Sequence, residues 1–266
     1  MWNEDGSINA CTEFPREKAQ VVFVFGAGQL LAAEGGVTGA VVADLERRYP
    51  NAVIAGCSTA GDIHGTSITD ADISVTAVHF EKTQVVARAE PIPGPDACLE
   101  TGSRLARALP KEGLQHVFAL CKGLNVNGSD LIKGMTDELP ANVGVSGGLA
   151  GDGTRFGTTW ILSDGESFSE HVMALGFYGN SLRVGCSATG PWDEFGPERR
   201  VTSSSKNEVF EFNGQSALAL YKSYLGELAA DLPASGLFFP IALRNPNSSH
   251  CVIRTLLACD EAKQEA

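Results

Sequence analysis

Two stretches of this chain read alike: residues 50–62, "PNAVIAGCSTAGD", and residues 140–152, "PANVGVSGGLAGD", at an offset of 140 − 50 = 90. A repeat constrains the fold more than any composition does, because each copy must build the same elements from the same local signals. At this offset Pro50 falls on Pro140, Val53 on Val143, and Ala60, Gly61 and Asp62 on Ala150, Gly151 and Asp152. Upstream, Val41, Leu45 and Tyr49 fall on Leu131, Met135 and Leu139. Each of those triplets has the i, i+4, i+8 spacing of one buried helical stripe. Downstream the offset becomes 98, with Phe80 on Tyr178 and Val86 on Val184. The eight additional residues are expected in a longer β-hairpin of the second copy, turning at Asp164-Gly165.

Each copy then follows one plan. An apolar strand (21–25; 117–120) leads through a polar, glycine-rich loop to a helix that ends before Pro50 or Pro140. A short strand follows (52–55; 142–145), then the "AGD" loop and antiparallel strands near 72–89 and 170–187. Strand, helix, strand implies a parallel crossover. The expected fold is α/β, an internally duplicated mixed-sheet domain whose two strand-helix-strand-hairpin halves share one sheet. Between the copies, Asp96 is the expected N-cap of a helix reaching Leu109, and Ser129 that of the second copy's helix. Past residue 200 the pattern predicts two strands, a turn at Asn213-Gly214, a helix, and strands over 236–243 and 251–258.

Composition removes several function classes. The formal charge of −12 opposes both nucleic-acid and anionic-membrane partners. No apolar run approaches the ~20 residues of a membrane span, and the opening "MWNEDGSINACTE" has no basic, apolar signal pattern. Seven cysteines without CxxC spacing read as reduced thiols, which implies a cytoplasmic protein.

Both "AGD" loops follow parallel-type strands, and ligands of open α/β sheets bind beyond the carboxyl ends of such strands. Gly56, Cys57, Ser58, Thr59, Gly61 and Asp62 are therefore expected to face Gly147, Gly148, Gly151 and Asp152 across a shared crevice. Glycine N–H groups there suit a carboxylate or phosphate. Asp62 or Asp152 suits an ammonium, so together they suit an amino acid. The same residues also fit tight turns and loop braces. The loop "CKGLNVNGSD" adds Lys122, as an anion contact or a solvated surface charge, and Asn125 and Asn127 as contacts or turn formers. "GCSTA" nearly matches a nucleophile elbow, which would make Cys57 or Ser58 a nucleophile with His171 or His250 as base. Against that, the second copy has Gly147 and Gly148 at those positions, so the loop shape is shared and the reactive group is not. Gly26-x-Gly28 lacks the third small residue of a dinucleotide site and reads as a turn. The five histidines form no HExxH or Cys/His cluster, and no metal site is expected.

"AGCSTAGDI", "KGLNVNGSDLIKGM", "VSGGLAGDG" with "TTWILSDG", and "VTSSSKNEVFEFNGQSALALYKSYLG" together resemble the FIST sensory domain, a family of intracellular signal-transduction proteins found mainly in bacteria. The resemblance divides the chain into an N-terminal segment (1–20), a FIST N-terminal domain (21–226, with halves about 21–95 and 115–190) and the beginning of a FIST C-terminal region (227–266), which here stops short. It implies a non-catalytic domain that binds a small polar ligand such as an amino acid. It also implies relay to histidine kinases, chemotaxis receptors or cyclic-dinucleotide enzymes. Some members resemble haem-based nitric-oxide sensors, which makes haem the cofactor alternative and His64 its candidate ligand. Two departures bear on ligand choice: Asp62 stands where relatives usually carry Glu, and Lys122 where they often carry an acid.

Overall fold

The computed structural model describes residues 15–187, 190, 192–246 and 251–260, apart from the side chain of His64. The chain divides into two compact units, Met1–Cys186 and Ser187–Ala266. The first opens with β1 (Val21–Ala27), a one-turn α1 (Gly28–Leu31), α2 (Thr38–Arg48) and β2 (Val53–Thr59). The short hairpin β3 (Asp62–His64) and β4 (Ser67–Thr69) follows, then β5 (Ile73–Val78), β6 (Gln84–Pro91) and α3 (Cys98–Ala108). A second crossover is made by β7 (Leu114–Cys121), α4 (Gly128–Glu138) and β8 (Gly144–Leu149). The hairpin β9 (Ile161–Ser163) and β10 (Glu166–Phe168) and the long strand β11 (His171–Tyr178) complete the unit.

The expected single sheet is two sheets. One has the order β10-β9-β2-β1-β5 and the other β6-β11-β7-β8. Among the described residues only β1/β2 and β7/β8 pair in parallel, as the strand-helix-strand pattern requires. Neither sheet is contiguous in the chain: β6, which follows β5 of the first sheet, pairs with β11 in the second, and β9, which follows β8 of the second, pairs with β2 in the first.

Alternation along the strands explains the two sheets. On β1, Val22 and Val24 join Val41, Val42 and Leu45 of α2, while Val21, Phe23 and Phe25 belong to a different cluster. On β7 and β11, Val117, Ala119, Val172 and Ala174 pack with Leu105, Leu131 and Met135 of the helices. Phe118, Leu120, Met173 and Leu175 join Val21, Ala55 and Ile161 from the first sheet. Both faces of both sheets are therefore apolar, and the layers run α2, first sheet, second sheet, then α3 with α4. Phe23 and Phe118 meet edge-on across the sheet–sheet core, centroids 5.8 Å apart.

Local signals show where the reading held. The turn at Asp164-Gly165 has φ of 48° and 84°, the two positive values of a hairpin turn. The hairpin it closes is no longer than β3–β4, however, each strand being three residues. The additional chain instead lies in the loop between Asp152 and β9. Asn127, not Ser129, caps α4, its Oδ1 accepting from the Asp130 amide at 3.2 Å. Asp96 falls in a short 3-10 turn, Pro95–Ala97, ahead of α3.

The second unit holds β12 (Val201–Ser205), β13 (Glu208–Phe212) and β14 (Gln215–Ser216) as one small sheet, followed by α5 (Ala217–Leu225). The Asn213-Gly214 turn between β13 and β14 again has two positive φ values. The last pair, β15 (Ile241–Arg244) and β16 (Cys251–Arg254), is shorter than the predicted strands.

Candidate functional site

The two "AGD" loops are in direct contact. Ser58, fully buried near the end of β2, binds the other loop at four points. Its Oγ donates to the Gly151 carbonyl at 2.8 Å and accepts from the Trp160 amide at 2.9 Å. Its backbone carbonyl accepts from the Gly151 amide at 2.8 Å, and its amide donates to the Trp160 carbonyl at 2.9 Å. A β-carbon at Gly151 would stand 2.7 Å from the Ala60 nitrogen, so glycine is what lets the loops approach. The expected crevice between these two loops is replaced by contact.

Ser58 and Cys57 are poorly set for nucleophilic chemistry. The Ser58 proton is committed to a carbonyl, and burial, with Asp62 adding repulsion, pushes the Cys57 thiol up to about 12. His171 stacks on Phe168, centroids 4.2 Å apart, and its Nδ1 is buried without a partner among the described residues. Burial lowers its pKa. His250 lies outside the described residues, as does the side chain of His64, whose backbone belongs to β3. A Ser–His contact that the sequence reading missed lies elsewhere: His116 Nε2 is 2.7 Å from Ser146 Oγ, across β7 and β8. Only the strand register of the parallel pair reveals it.

Several candidates turn out to shape the sheets. β-Carbons at Gly56 and Gly147 would overlap the carbonyl oxygens of Val24 and Ala119 on the neighbouring strands. Gly148 is exposed, with open space where a β-carbon would be. Gly26, expected in a turn, lies inside β1, paired with Ser58 and Ile73, where a β-carbon would crowd Ile73 and the Asp72 carbonyl. Asp152 is a brace: Oδ1 accepts from Arg155 at 2.6 and 2.9 Å, and Oδ2 from the Gly157 amide at 3.1 Å.

Lys122 is 1% exposed, not a solvated surface lysine, and pairs with the largely exposed Glu170. Its charge acts on Cys98 and Cys121, whereas that of Asp62 acts on Cys57. Asn125 holds a left-handed turn with φ of 52°, and Asn127 is the helix cap.

Asp62 remains the exceptional candidate. It is 6% exposed, and its Oδ2 has no hydrogen-bond partner among the described residues. Burial raises its pKa, the nearby Thr59 hydroxyl opposes that rise, and the negative charges of Asp72 and Asp70 add to it. A buried carboxylate oxygen left without a hydrogen bond is costly, so each such group needs a reason.

A family model, the FIST N domain, matches residues 20–215. The chain belongs to the FIST N-domain family. No curated protein matches it. The FIST match takes in every β-strand and α-helix of the first unit and extends to the start of β14. FIST domains are a family of sensory domains. Among the described residues no helix is long and apolar enough to cross a membrane, and no three His, Cys, Asp or Glu side chains are grouped to hold a metal ion.

Proposed function

We propose that this FIST domain is a non-catalytic intracellular sensor. It holds a small polar ligand, an amino acid or similar molecule, at the loops beyond the parallel strands, and a signalling partner reads its occupancy. The observation that carries this reading is the unpaired, buried Asp62 carboxyl in the chain segment that leaves the Ser58 clamp. That position is where α/β sheets place ligands. The placement of each crossover's "AGD" loop beside the other's supports descent from a duplicated half. The occupied Ser58 hydroxyl and the high pKa of Cys57 support a binding role over hydrolysis. Ligand bound there favours one arrangement of the loops over another, and a histidine kinase, chemotaxis protein or cyclic-dinucleotide enzyme responds to the difference.

Thermal unfolding of the full chain against a panel of amino acids, amines and organic acids tests the reading. A ligand that binds only the folded state adds about 2.7 kcal/mol at a hundredfold excess over Kd. Stabilisation that persists unchanged in Asp62→Asn places the ligand elsewhere and refutes the site.

A further inference from the structure

Among the described residues, three buried side-chain oxygens around Asp62 have no hydrogen-bond partner: Asp62 Oδ2, Thr59 Oγ1 and Thr69 Oγ1. Asp62 and Thr69 stand opposite each other in the β3–β4 pair, so their side chains share a face. Thr59 is near enough to steady the Asp62 carboxylate. Asp70 follows Thr69, and its Oδ1 lies 2.8 Å from where a β-carbon on Gly61 would be. Among the described residues, the charges that bear on Asp62 are those of Asp72 and Asp70, both negative. Thr59 and Thr69 are partly accessible and Asp70 is exposed, so the cluster lies just beneath the surface.

A buried carboxylate of this kind calls for a positively charged donor. The donor count narrows the choice. An ammonium group offers three N–H donors, and three acceptors stand open here. A metal ion fits less well, because no three carboxylate, histidine or cysteine side chains converge for one among the described residues.

We propose that Thr59, Asp62 and Thr69 seat the primary ammonium group of the ligand, with Asp70 and Asp72 supplying the attracting field. This rests on the sensor reading above and narrows its ligand. A carboxylate two bonds from the ammonium, as in a neutral amino acid, would enter the field of three aspartates and be repelled. The favoured class is therefore aliphatic amines and amino acids that present a side-chain ammonium.

Calorimetric titration of the full chain with n-butylamine at neutral pH tests this, with n-butanol, butyrate and tetramethylammonium as counterparts. The first removes the charge, the second reverses it, and the third keeps it without N–H donors. Butylammonium is expected to bind at least tenfold more tightly than any of the three. Asp62→Asn should weaken it at least tenfold while raising the melting temperature of the unliganded protein. Thr69→Val, which keeps shape and loses the acceptor, should weaken it at least threefold. Absence of butylammonium binding overturns the proposal, as does equal affinity for tetramethylammonium or unchanged affinity in both variants. Should neutral amino acids bind through Asp62 while butylammonium does not, the ammonium seat falls and the sensor reading stands.

Discussion

Replacing Ser58 by alanine removes one oxygen from the centre of the loop contact. The residue is fully buried, and its Oγ is bonded to the Gly151 carbonyl and the Trp160 amide. Alanine keeps the backbone bonds of residue 58 to the same two residues and leaves almost no cavity. The effect therefore reduces to two orphaned backbone groups, each costing about 1–3 kcal/mol, or roughly 2–6 kcal/mol together. Urea unfolding followed by tryptophan fluorescence measures it, with the slope expected to stay constant. A nucleophilic role makes the opposite forecast, since removing a catalytic group commonly leaves stability unchanged or raises it. A loss below about 1 kcal/mol would therefore refute the clamp reasoning.

Gly151→Ala places a β-carbon 2.7 Å from the Ala60 nitrogen and should cost about 1–3 kcal/mol by the same unfolding measurement. Lys122→Met should be neutral or stabilising by about 1–4 kcal/mol, because methionine fills the buried stem's space and Glu170 is already mostly in water; a loss beyond 1 kcal/mol would show the ion pair to be a net support. Asp62 has a folded pKa above its ordinary 3.8, so the stability it contributes is full below that value and is lost as pH rises through the higher folded value. The melting-temperature advantage of Asp62→Asn should shrink as a buffer series moves from neutral toward acid, and an advantage that grows on acidification contradicts this.

The crossovers were legible because each carries its own local signal: an i, i+4, i+8 stripe, a terminating proline and an apolar strand on either side. Val41 and Leu45, and Leu131 and Met135, are buried as that stripe requires. The separation into two sheets was not legible. It depends on which strand β6 and β9 choose as neighbours, and both Val85 and Ile161 would suit any apolar face. The candidate site was half visible. Repetition singled out Asp62 and Asp152 equally, yet Arg155 and the Gly157 amide engage both Asp152 oxygens, while Asp62 Oδ2 has no partner among the described residues. Thr69, Asp70 and Asp72 went unread because they reach Asp62 only through the β3–β4 pairing.

Positions of the two loops matched at the ninety-residue offset play opposite parts. Ser58 is fully buried and bonded at four points, while Gly148, ninety residues on, is exposed in open space. The chain leaves β8 in the second sheet at Leu149, passes Gly151 two residues on, and reaches β9 in the first sheet just after Trp160. Ser58 therefore holds both ends of the segment that passes between sheets. Asp62 lies four residues farther along the same strand-to-hairpin connection. Filling its open acceptor should quiet that connection and, with it, the clamp. Hydrogen exchange then provides the readout: with saturating n-butylamine, the Gly151 and Trp160 amides, which donate to Ser58 oxygens, should exchange at least threefold more slowly. The Asn213 amide, which donates to the Arg200 carbonyl in the second unit, serves as the control and should not change. If butylammonium binds through Asp62 while Gly151 and Trp160 exchange at their unliganded rates, occupancy does not reach the sheet-to-sheet segment, and its signal must leave by another surface.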